Sequence, residues 1–198
     1  MVYPFTDSQI LGISTFPYSL KDFFLEGTQQ VSASWITLEN LSFPYCISIN
    51  SSYIYEQSTD ERINQNDAAI TLAHELGHYL GLRHVFSEGG TTSMCTDTDY
   101  CKDTPSYNRS EYEQWLNNLD KQKKYQLKDL AKRYSCEKGE YEAHNIMDYA
   151  YCFYNEITLE QRKRIRHILN YSPLIPGPKE SRIDTRGVQG RLNLPICI

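Results

Sequence analysis

The sequence predicts an α+β fold in which short strands come first and helices follow. Residues 1–60 contain short segments in which apolar and polar side chains partly alternate, as in half-buried strands. From residue 66 the apolar spacing becomes helical, and two later segments, 110–134 and 158–170, also have a helical pattern. A length of 198 residues fits one globular domain with a substantial core.

Four strands are predicted in the N-terminal part, between stretches that contain Gly, Pro, Asn and Ser. They are Val2–Phe5, Ile10–Thr15, Val31–Leu38 and Tyr45–Tyr55. The last two show the clearest alternation, which predicts strands that bury one face.

The first helix is predicted over residues 66–81, where apolar side chains recur at spacings of three and four. Asn66 or Asp67 can cap its start, and Gly81 can adopt the left-handed conformation that ends a helix. The apolar positions include Ile70, Ala73, Gly77 and Leu80.

Two further helical segments follow a long polar loop at residues 87–108. Residues 110–134 are predicted as a helix or a helical pair, with Leu and Trp on the apolar side and charged residues on a solvated face. After a turn near Gly139, Thr158 and Gln161 form a capping box that opens the last helix.

We place the folded domain at residues 1–172. Residues 173–198 are rich in Pro, Gly and Arg, and we predict that they form an extended C-terminal tail.

The composition argues against several classes of function. Lys and Arg total 20, Asp and Glu total 25, and the formal net charge is -5. This charge, without a basic run, argues against a nucleic-acid surface. No apolar stretch approaches the roughly 20 residues that span a bilayer, and the first residues lack the pattern of a signal peptide. We expect a monomer.

The cysteines bear on the cellular compartment. None forms a CxxC pair, so their spacing predicts no thiolate zinc site. An even number suits disulfides and export, whereas free thiols would suit a cytoplasmic enzyme. We expect a secreted or cell-surface protein whose signal or anchor is not in this sequence, with a cytoplasmic location as the alternative. The six are Cys46, Cys95, Cys101, Cys136, Cys152 and Cys197.

The segment from His74 to His84 has the pattern HExxHxxGxxH. His74 and His78 are four residues apart on one helix face, so both imidazoles can reach one metal ion. The Glu75 carboxylate can instead reach a water at an open coordination position, where a general base is needed. A bare HExxH also occurs by chance in unrelated helices, where the two histidines are surface residues.

His84 is predicted as the third ligand. If the helix continued, position 84 would rotate away from His74 and His78, but a positive φ at Gly81 lets the chain turn back. Three neutral histidines and a water give tetrahedral zinc with an exchangeable position, and the extended pattern is far more restrictive than HExxH. A downstream glutamate could be the third ligand instead; Glu88 is the nearest, and it competes with a better-placed histidine.

Residues 145–149, Asn-Ile-Met-Asp-Tyr, add a second element to this motif. Together they resemble the metzincin metallopeptidases, whose Met-turn places a methionine beneath the zinc site. Among metzincins the chain is most similar to the pappalysin (ulilysin-like) family. The Asp-Thr-Pro at 103–105 and the Gln-Arg at 161–162 also match, and the resemblance covers residues 66–170 well.

The resemblance implies a zinc-dependent endopeptidase with a small twisted mixed sheet, an active-site helix, a Met-turn and a C-terminal helix. A metal-activated water would attack the peptide bond with Glu75 as general base. Met147 would pack beneath the ligands without binding the metal. Tyr149 would hydrogen-bond the tetrahedral intermediate.

The same resemblance suggests disulfides and a calcium ion. Cys95 and Cys136 match one family disulfide, and Cys152 matches half of a second, for which Cys101 is the expected partner. Cys46 and Cys197 could pair or stay free. Some relatives bind calcium, and oxygen ligands in the corresponding loop are available, although a solvated acidic loop is the simpler interpretation; these residues are Asp97, Asp99 and Asp103.

Departures from the family limit what is implied. Ala150 and Tyr151 stand where relatives have acidic residues. That subgroup's preference for substrates with a basic residue after the cleaved bond is therefore not expected here.

We predict a protein or peptide substrate that pairs with an edge strand within residues 45–55. The alternatives are a zinc-bound but inactive protein-binding domain and a truncated fragment.

Overall fold

The computed structural model describes residues 1–37, 39–40, 45–59, 62–87, 97–135 and 137–175. None of the helices in these ranges is long and apolar enough to cross a membrane. The helices and strands, in chain order, are β1 (Val2–Tyr3), β2 (Gly12–Ser14), β3 (Tyr18–Leu20), β4 (Gln29–Val31), β5 (Ile47–Asn50), α1 (Ala68–Tyr79), α2 (Arg109–Asn117), α3 (Leu127–Leu130), β6 (Lys132–Ser135), β7 (Gly139–Glu142) and α4 (Leu159–Tyr171). The predicted α+β class is confirmed.

The first sheet is mixed and has β5 at its centre. β1 pairs with β5 in parallel and β2 pairs with it antiparallel. Both β2 and β5 lie against α1. At the end of β5, the buried Asn50 side chain donates to the Ile10 carbonyl at 2.9 Å and accepts from the Ser52 amide at 3.1 Å. These bonds fix the point where the chain leaves the sheet towards α1.

The start of α1 is capped by Asp67, one of the two predicted residues. Its carboxylate accepts from the amides of Ala69 at 2.8 Å and Ile70 at 3.2 Å. It also accepts from the Ser58 amide, which ties the segment before the helix to its first turn. These bonds satisfy amides that have no partner within the helix.

The end of α1 has the hydrogen-bond pattern of a Schellman motif. The Gly81 amide donates to the His78 carbonyl at 2.9 Å, and the Leu82 amide donates to the Gly77 carbonyl at 2.9 Å. Gly81 has a φ of 88°, as its predicted left-handed conformation requires. The chain therefore reverses immediately after α1.

The largest apolar cluster joins the β3–β4 region to α4. β3 pairs with β4 in parallel. Leu174 and Ile175 are each only 4 % exposed within this cluster, so the core continues past the predicted boundary at residue 172. The rest of the predicted tail, 176–198, lies outside the described residues. The buried members are Val31, Ile36, Tyr45, Ile168, Leu174 and Ile175.

The predicted strand Val31–Leu38 is wrong. The strand in this region ends at Val31, and Ala33–Trp35 form a 3-10 turn. Ser32 and Ser34 bond to each other through their hydroxyls at 3.0 Å. Local bonding of this kind stabilises turns in competition with strands.

The predicted helical segment 110–134 contains two helices, α2 and α3, but its last residues are not helical. Its end is the strand β6, which pairs antiparallel with β7 across the turn before Gly139. Along β6, Arg133 and Ser135 are buried while Lys132 and Tyr134 are exposed. That is the two-residue period of a strand, and it overrides the helical reading of the Leu spacing.

The predicted bond between Cys101 and Cys152 is also wrong. Both are buried free thiols, and Cys46 is free as well. The Cys101 sulfur lies 3.6 Å from the Asp99 carbonyl and the Cys152 sulfur 3.3 Å from the Asn145 carbonyl, so each contacts a separate part of the fold. The other predicted members, Cys95, Cys136 and Cys197, lie outside the described residues.

The carboxylates of the acidic loop, Asp97, Asp99 and Asp103, accept hydrogen bonds from other groups of the protein. Asp103 accepts from the Thr158 hydroxyl at 2.7 Å and the Glu160 amide at 2.9 Å, which adds a second cap to α4. Asp99 accepts from the Thr104 hydroxyl at 2.7 Å, and Asp97 accepts from the Asp99 amide at 3.1 Å. Among the residues described, these carboxylates do not form a group able to hold a metal ion, so they give the calcium prediction no support.

We expect Asp67→Ala to lower the free energy of unfolding by about 1–2 kcal/mol, because it removes the cap of α1. Burial acts to raise the pKa of Asp67, but bonds from Ser58 and the first-turn amides outweigh it and lower the pKa. The carboxylate therefore stabilises the fold above its unfolded-state pKa of about 4, and this contribution is lost as the pH falls through the folded-state pKa.

Urea unfolding near pH 7 and near pH 3 tests this, with Asp67→Asn as a control that keeps a neutral acceptor. The loss in Asp67→Ala should be smaller at the lower pH. An equal loss at both pH values would contradict a role for the charged carboxylate.

Candidate metal centre

His74 and His78 lie one turn apart on α1, with their rings towards the same space. Nδ1 of His74 is 2.7 Å from the Ile146 carbonyl, and Nδ1 of His78 is 2.8 Å from the Leu82 carbonyl. Since a carbonyl only accepts, each Nδ1 carries the proton and each Nε2 keeps a lone pair. Burial, then repulsion by His78 and His84, lowers the pKa of His74 to about 3, so its ring is neutral near neutral pH.

His84 reaches the same space from the segment after the turn. Its Nε2 lies 3.0 Å from Nε2 of His78 and 3.2 Å from Nε2 of His74. In tetrahedral coordination with zinc–nitrogen bonds of about 2.0–2.1 Å, neighbouring nitrogens are about 3.3 Å apart. The three imidazoles therefore have the donor set and the spacing that a zinc ion requires. Glu88, the alternative third ligand, lies outside the described residues.

The turn that delivers His84 is held by α4. Arg164 donates from Nη2 to the Gly81 carbonyl at 3.1 Å and to the Glu26 carbonyl at 2.9 Å. A Cβ on Gly81 would lie only 2.7 Å from Cγ1 of Ile168. Any larger residue at position 81 would therefore force the turn or Ile168 to shift.

Glu75 is buried between α1 and β2. A Cβ on Gly12 would lie 2.6 Å from Cγ of Glu75, so the backbone of β2 covers this side chain directly. Burial raises the pKa of the Glu75 carboxyl to about 7. The carboxyl thus lies in a largely dry position next to a candidate ligand.

Met147 packs beneath the histidine-bearing helix. It is fully buried with Leu82 and Val85, and a Cβ on Gly77 would lie 2.4 Å from its sulfur. The sulfur therefore occupies the space that a side chain at position 77 would need. The Val85 amide donates to the Met147 carbonyl at 3.3 Å, which links the Met147 turn to the segment after His84.

The turn around Met147 is attached to α4 by two side-chain amides. Asn145 donates to Gln161 at 2.8 Å, Gln161 donates back at 3.1 Å, and the Met147 amide donates to Asn145 at 3.0 Å. Gln161 also closes the predicted capping box with Thr158, which is confirmed. One buried glutamine thus caps α4 and orients the turn.

Tyr149 lies beside the histidines. Its ring centroid is 4.4 Å from that of His84, 5.4 Å from that of His74 and 4.9 Å from that of Phe86. The guanidinium carbon of Arg109 lies 4.7 Å from the same centroid. The structure therefore brings Tyr149 together with the predicted metal ligands.

Several residues at the centre were not predicted to act there. Gly12 and Gly77 make room for Glu75 and Met147, while Arg133 and Arg164 hold backbone carbonyls near the site. The sequence held no signal for Arg133, because Lys-Arg-Tyr-Ser at 132–135 does not alternate between apolar and polar residues.

An open cavity of about 710 Å³ adjoins the centre at His78. Arg83 contributes a cation there, and its guanidinium lies 5.1 Å from the Phe16 ring centroid. The other lining residues are Gly27, Thr28, Gln29 and Tyr100.

The family model of the M43 peptidases, described as pregnancy-associated plasma protein-A, matches residues 35–170. That range includes the three histidines, the Met147 turn and nearly all of α4. The chain belongs to the M43 peptidase family. This confirms the predicted resemblance to pappalysins.

Curated relatives of this M43 peptidase include the extracellular metalloproteases of Arthroderma benhamiae, Trichophyton verrucosum and Arthroderma otae. Each is 37 % identical over 108 residues, which is 53 % of this chain and 32–33 % of the relative. The matched region is thus about a third of the length of these relatives. Among solved structures, mature mirolysin of Tannerella forsythia in complex with a cleaved peptide is 22 % identical, covers 85 % of this chain and 50 % of that chain, and gives a TM-score of 0.47.

We expect Gly77→Ala to destabilise this M43 peptidase by about 1–3 kcal/mol, because the added methyl group overlaps the Met147 sulfur. In an ordinary helix interior the same change would stabilise by about 1 kcal/mol, so the sign of the effect is decisive. Urea unfolding of the metal-loaded protein measures it. Leu76→Ala, on the exposed side of the same helix, should change stability far less; a stabilised Gly77→Ala would contradict the contact.

Proposed function

We propose that this chain forms the catalytic part of a zinc-dependent endopeptidase, with zinc held by His74, His78 and His84. The observation that carries the proposal is the convergence of three Nε2 atoms, with that of His84 3.0 and 3.2 Å from those of His78 and His74. Glu75 follows His74 on α1, and its side chain is buried. Bound zinc would supply a Lewis acid and a water of lowered pKa. Membership of a peptidase family supports peptide-bond hydrolysis as the reaction.

The substrate edge predicted within residues 45–55 is wrong, because β5 is the central strand of its sheet. The strand that borders Glu75 is β2, at the edge of that sheet. The Thr15 amide, just past β2, donates to the Cys46 carbonyl at 3.1 Å. Since alternate residues of an antiparallel strand face the same neighbour, the amides and carbonyls of Gly12 and Ser14 face the opposite edge.

We therefore propose that the substrate is an extended peptide bound along the outer edge of β2. Main-chain hydrogen bonds to Gly12 and Ser14 would supply affinity without regard to side chain. Because Gly12 lies against Glu75, a peptide on this edge passes next to the Glu75 carboxylate. Glu75 would accept a proton from the attacking water and deliver it to the leaving nitrogen.

Tyr149 is proposed to stabilise the charge that develops on the carbonyl oxygen. Its ring lies 4.4 Å from the His84 ring, between centroids, so its phenol is close to the proposed metal ligands. A phenol donating to an oxyanion is effective where the donor is already in place before the reaction. Met147, in contrast, is proposed to support the ligands through packing alone.

The cavity beside His78 is proposed to receive a substrate side chain. Arg83 in its lining gives no reason to expect a basic side chain there. We also propose that the protein acts outside the cytoplasm, since the curated relatives are named as extracellular enzymes. Its monomeric state stays a prediction.

Glu75→Gln should retain zinc and lose about 10²- to 10⁴-fold in kcat, because the ligands are intact and the proton acceptor is gone. Cleavage of a protein mixture, with and without a chelator, together with zinc content by mass spectrometry, measures both effects. Glu111→Gln on the exposed face of α2 is the matched control. A Glu75→Gln variant with normal turnover would remove Glu75 from the mechanism, and a zinc-loaded wild type without activity would favour a binding domain.

His84→Ala should release zinc at concentrations where the wild type stays loaded, because two histidines do not make a closed ligand set. The thermal stabilisation that zinc gives to the wild type should disappear as well. His144→Ala, whose ring is bonded to Asn155 away from the centre, is the control. Unchanged zinc stoichiometry in His84→Ala would refute the proposed third ligand.

A further inference from the structure

Arg133 is a buried cation that the proposed reaction does not use. It lies on β6, and its side chain is fully buried opposite the equally buried side chain of Asp148, with Nε 3.4 Å from Oδ2. A charge removed from water is costly unless paired and hydrogen-bonded.

The Arg133 guanidinium holds the backbone immediately after Met147. Nη2 donates to the Tyr149 carbonyl at 3.1 Å and to the Ala150 carbonyl at 2.7 Å. Nη1 donates to the Leu130 carbonyl at 3.0 Å. The guanidinium thus connects the β6 region with the segment that carries Tyr149.

The segment held in this way is strained. Ala150 has a φ of 42° and Tyr151 a φ of 46°, and neither is glycine. Residues other than glycine rarely adopt this left-handed backbone conformation. Two of them in succession persist only where the surrounding structure imposes that conformation. The two bonds from Arg133 fall on the carbonyls at the start of this strained stretch.

Asp148, the partner of Arg133, also bonds the amide of Tyr149. Oδ1 of Asp148 accepts from the Tyr149 amide at 2.7 Å and from the Tyr107 hydroxyl at 2.5 Å. The Tyr112 ring supports the guanidinium, with its centroid 3.7 Å from the guanidinium carbon. The amide and the carbonyl of Tyr149 are therefore both bonded to one buried ion pair.

We propose that Arg133 is a positioning residue for Tyr149: with Asp148 it fixes the backbone of residues 149–150 so that the phenol stays beside His74 and His84. The catalytic consequence rests on the oxyanion role proposed above for Tyr149. The restraint on the backbone does not rest on that role, and it can be measured separately.

Arg133→Lys is the decisive variant. Lysine keeps a positive charge opposite Asp148 but lacks the planar fork that donates to two carbonyls at once. Lys132→Gln, the exposed neighbour on the same strand, is the matched control. Tyr107→Phe removes one hydroxyl from the same cluster, and it gives a milder change in the same direction if Arg133→Lys does not fold.

The first measurement is hydrogen exchange of the peptide covering residues 145–152, in metal-free and zinc-loaded protein. We expect about tenfold faster exchange in Arg133→Lys, with the peptide covering α1 unchanged, because local opening is controlled by local bonds. Unchanged exchange at 145–152 would overturn the inference, whatever the activity. Faster exchange throughout the chain would also overturn it, because it would indicate a general loss of stability.

The second measurement is a double-mutant cycle with Tyr149→Phe. If Arg133 acts through Tyr149, Arg133→Lys lowers kcat about tenfold with KM and zinc content nearly unchanged, and adds no further loss in the Tyr149→Phe background. Multiplicative losses would overturn the coupling. Full activity of Tyr149→Phe alone would instead refute the proposed function of that phenol, while the exchange result would still decide whether Arg133 restrains the segment.

Discussion

The candidate metal centre depends on how α1 ends. His74 and His78 share a helix face by virtue of their spacing, but His84 can join them only if the helix stops and the chain reverses. Gly81 makes this possible through its φ of 88°, and the two Schellman bonds satisfy carbonyls at the helix end. Arg164 on α4 then bonds the Gly81 carbonyl, so a residue more than 80 positions away helps to hold the reversal.

A second constraint is the close packing of Met147 under α1. The sulfur lies where a side chain at position 77 would be, which only a glycine allows. The turn cannot approach this closely unless its polar groups are bonded elsewhere. Asn145 and Gln161 exchange two hydrogen bonds on one side, and Arg133 pairs with Asp148 on the other. These buried networks supply hydrogen-bond partners to the polar groups of the turn.

The arrangement of the sheet supports the substrate edge that we propose. β2 covers Glu75 and directs the backbone groups of Gly12 and Ser14 towards the outer edge. The proposed hydrolysis would use an extended peptide on that edge, zinc held by three imidazoles and the carboxyl of Glu75. The family match extends over the helices and the turn. The curated relatives are named extracellular metalloproteases, and the match to them covers about a third of their length.

The sequence alone was sufficient to predict the residues of the candidate metal centre. The three histidines, Glu75 and Gly81 belong to one short segment, and the geometry of a helix and a tight turn relates them directly. The cap at Asp67, the capping box at Thr158 and the α+β class were predictable for the same reason, because each depends on neighbours a few residues away.

Tertiary structure decided what depends on residues distant in the chain. Nothing in the sequence of β2 marks it as the edge strand, because that depends on which partners β5 takes. The charge of Arg133 suggested a solvated helix face, and only pairing with β7 and packing against Asp148 place it inside. Cys101 and Cys152 stay unpaired for a similar reason: a disulfide needs two sulfurs in contact, and each sulfur packs against a different part of the fold.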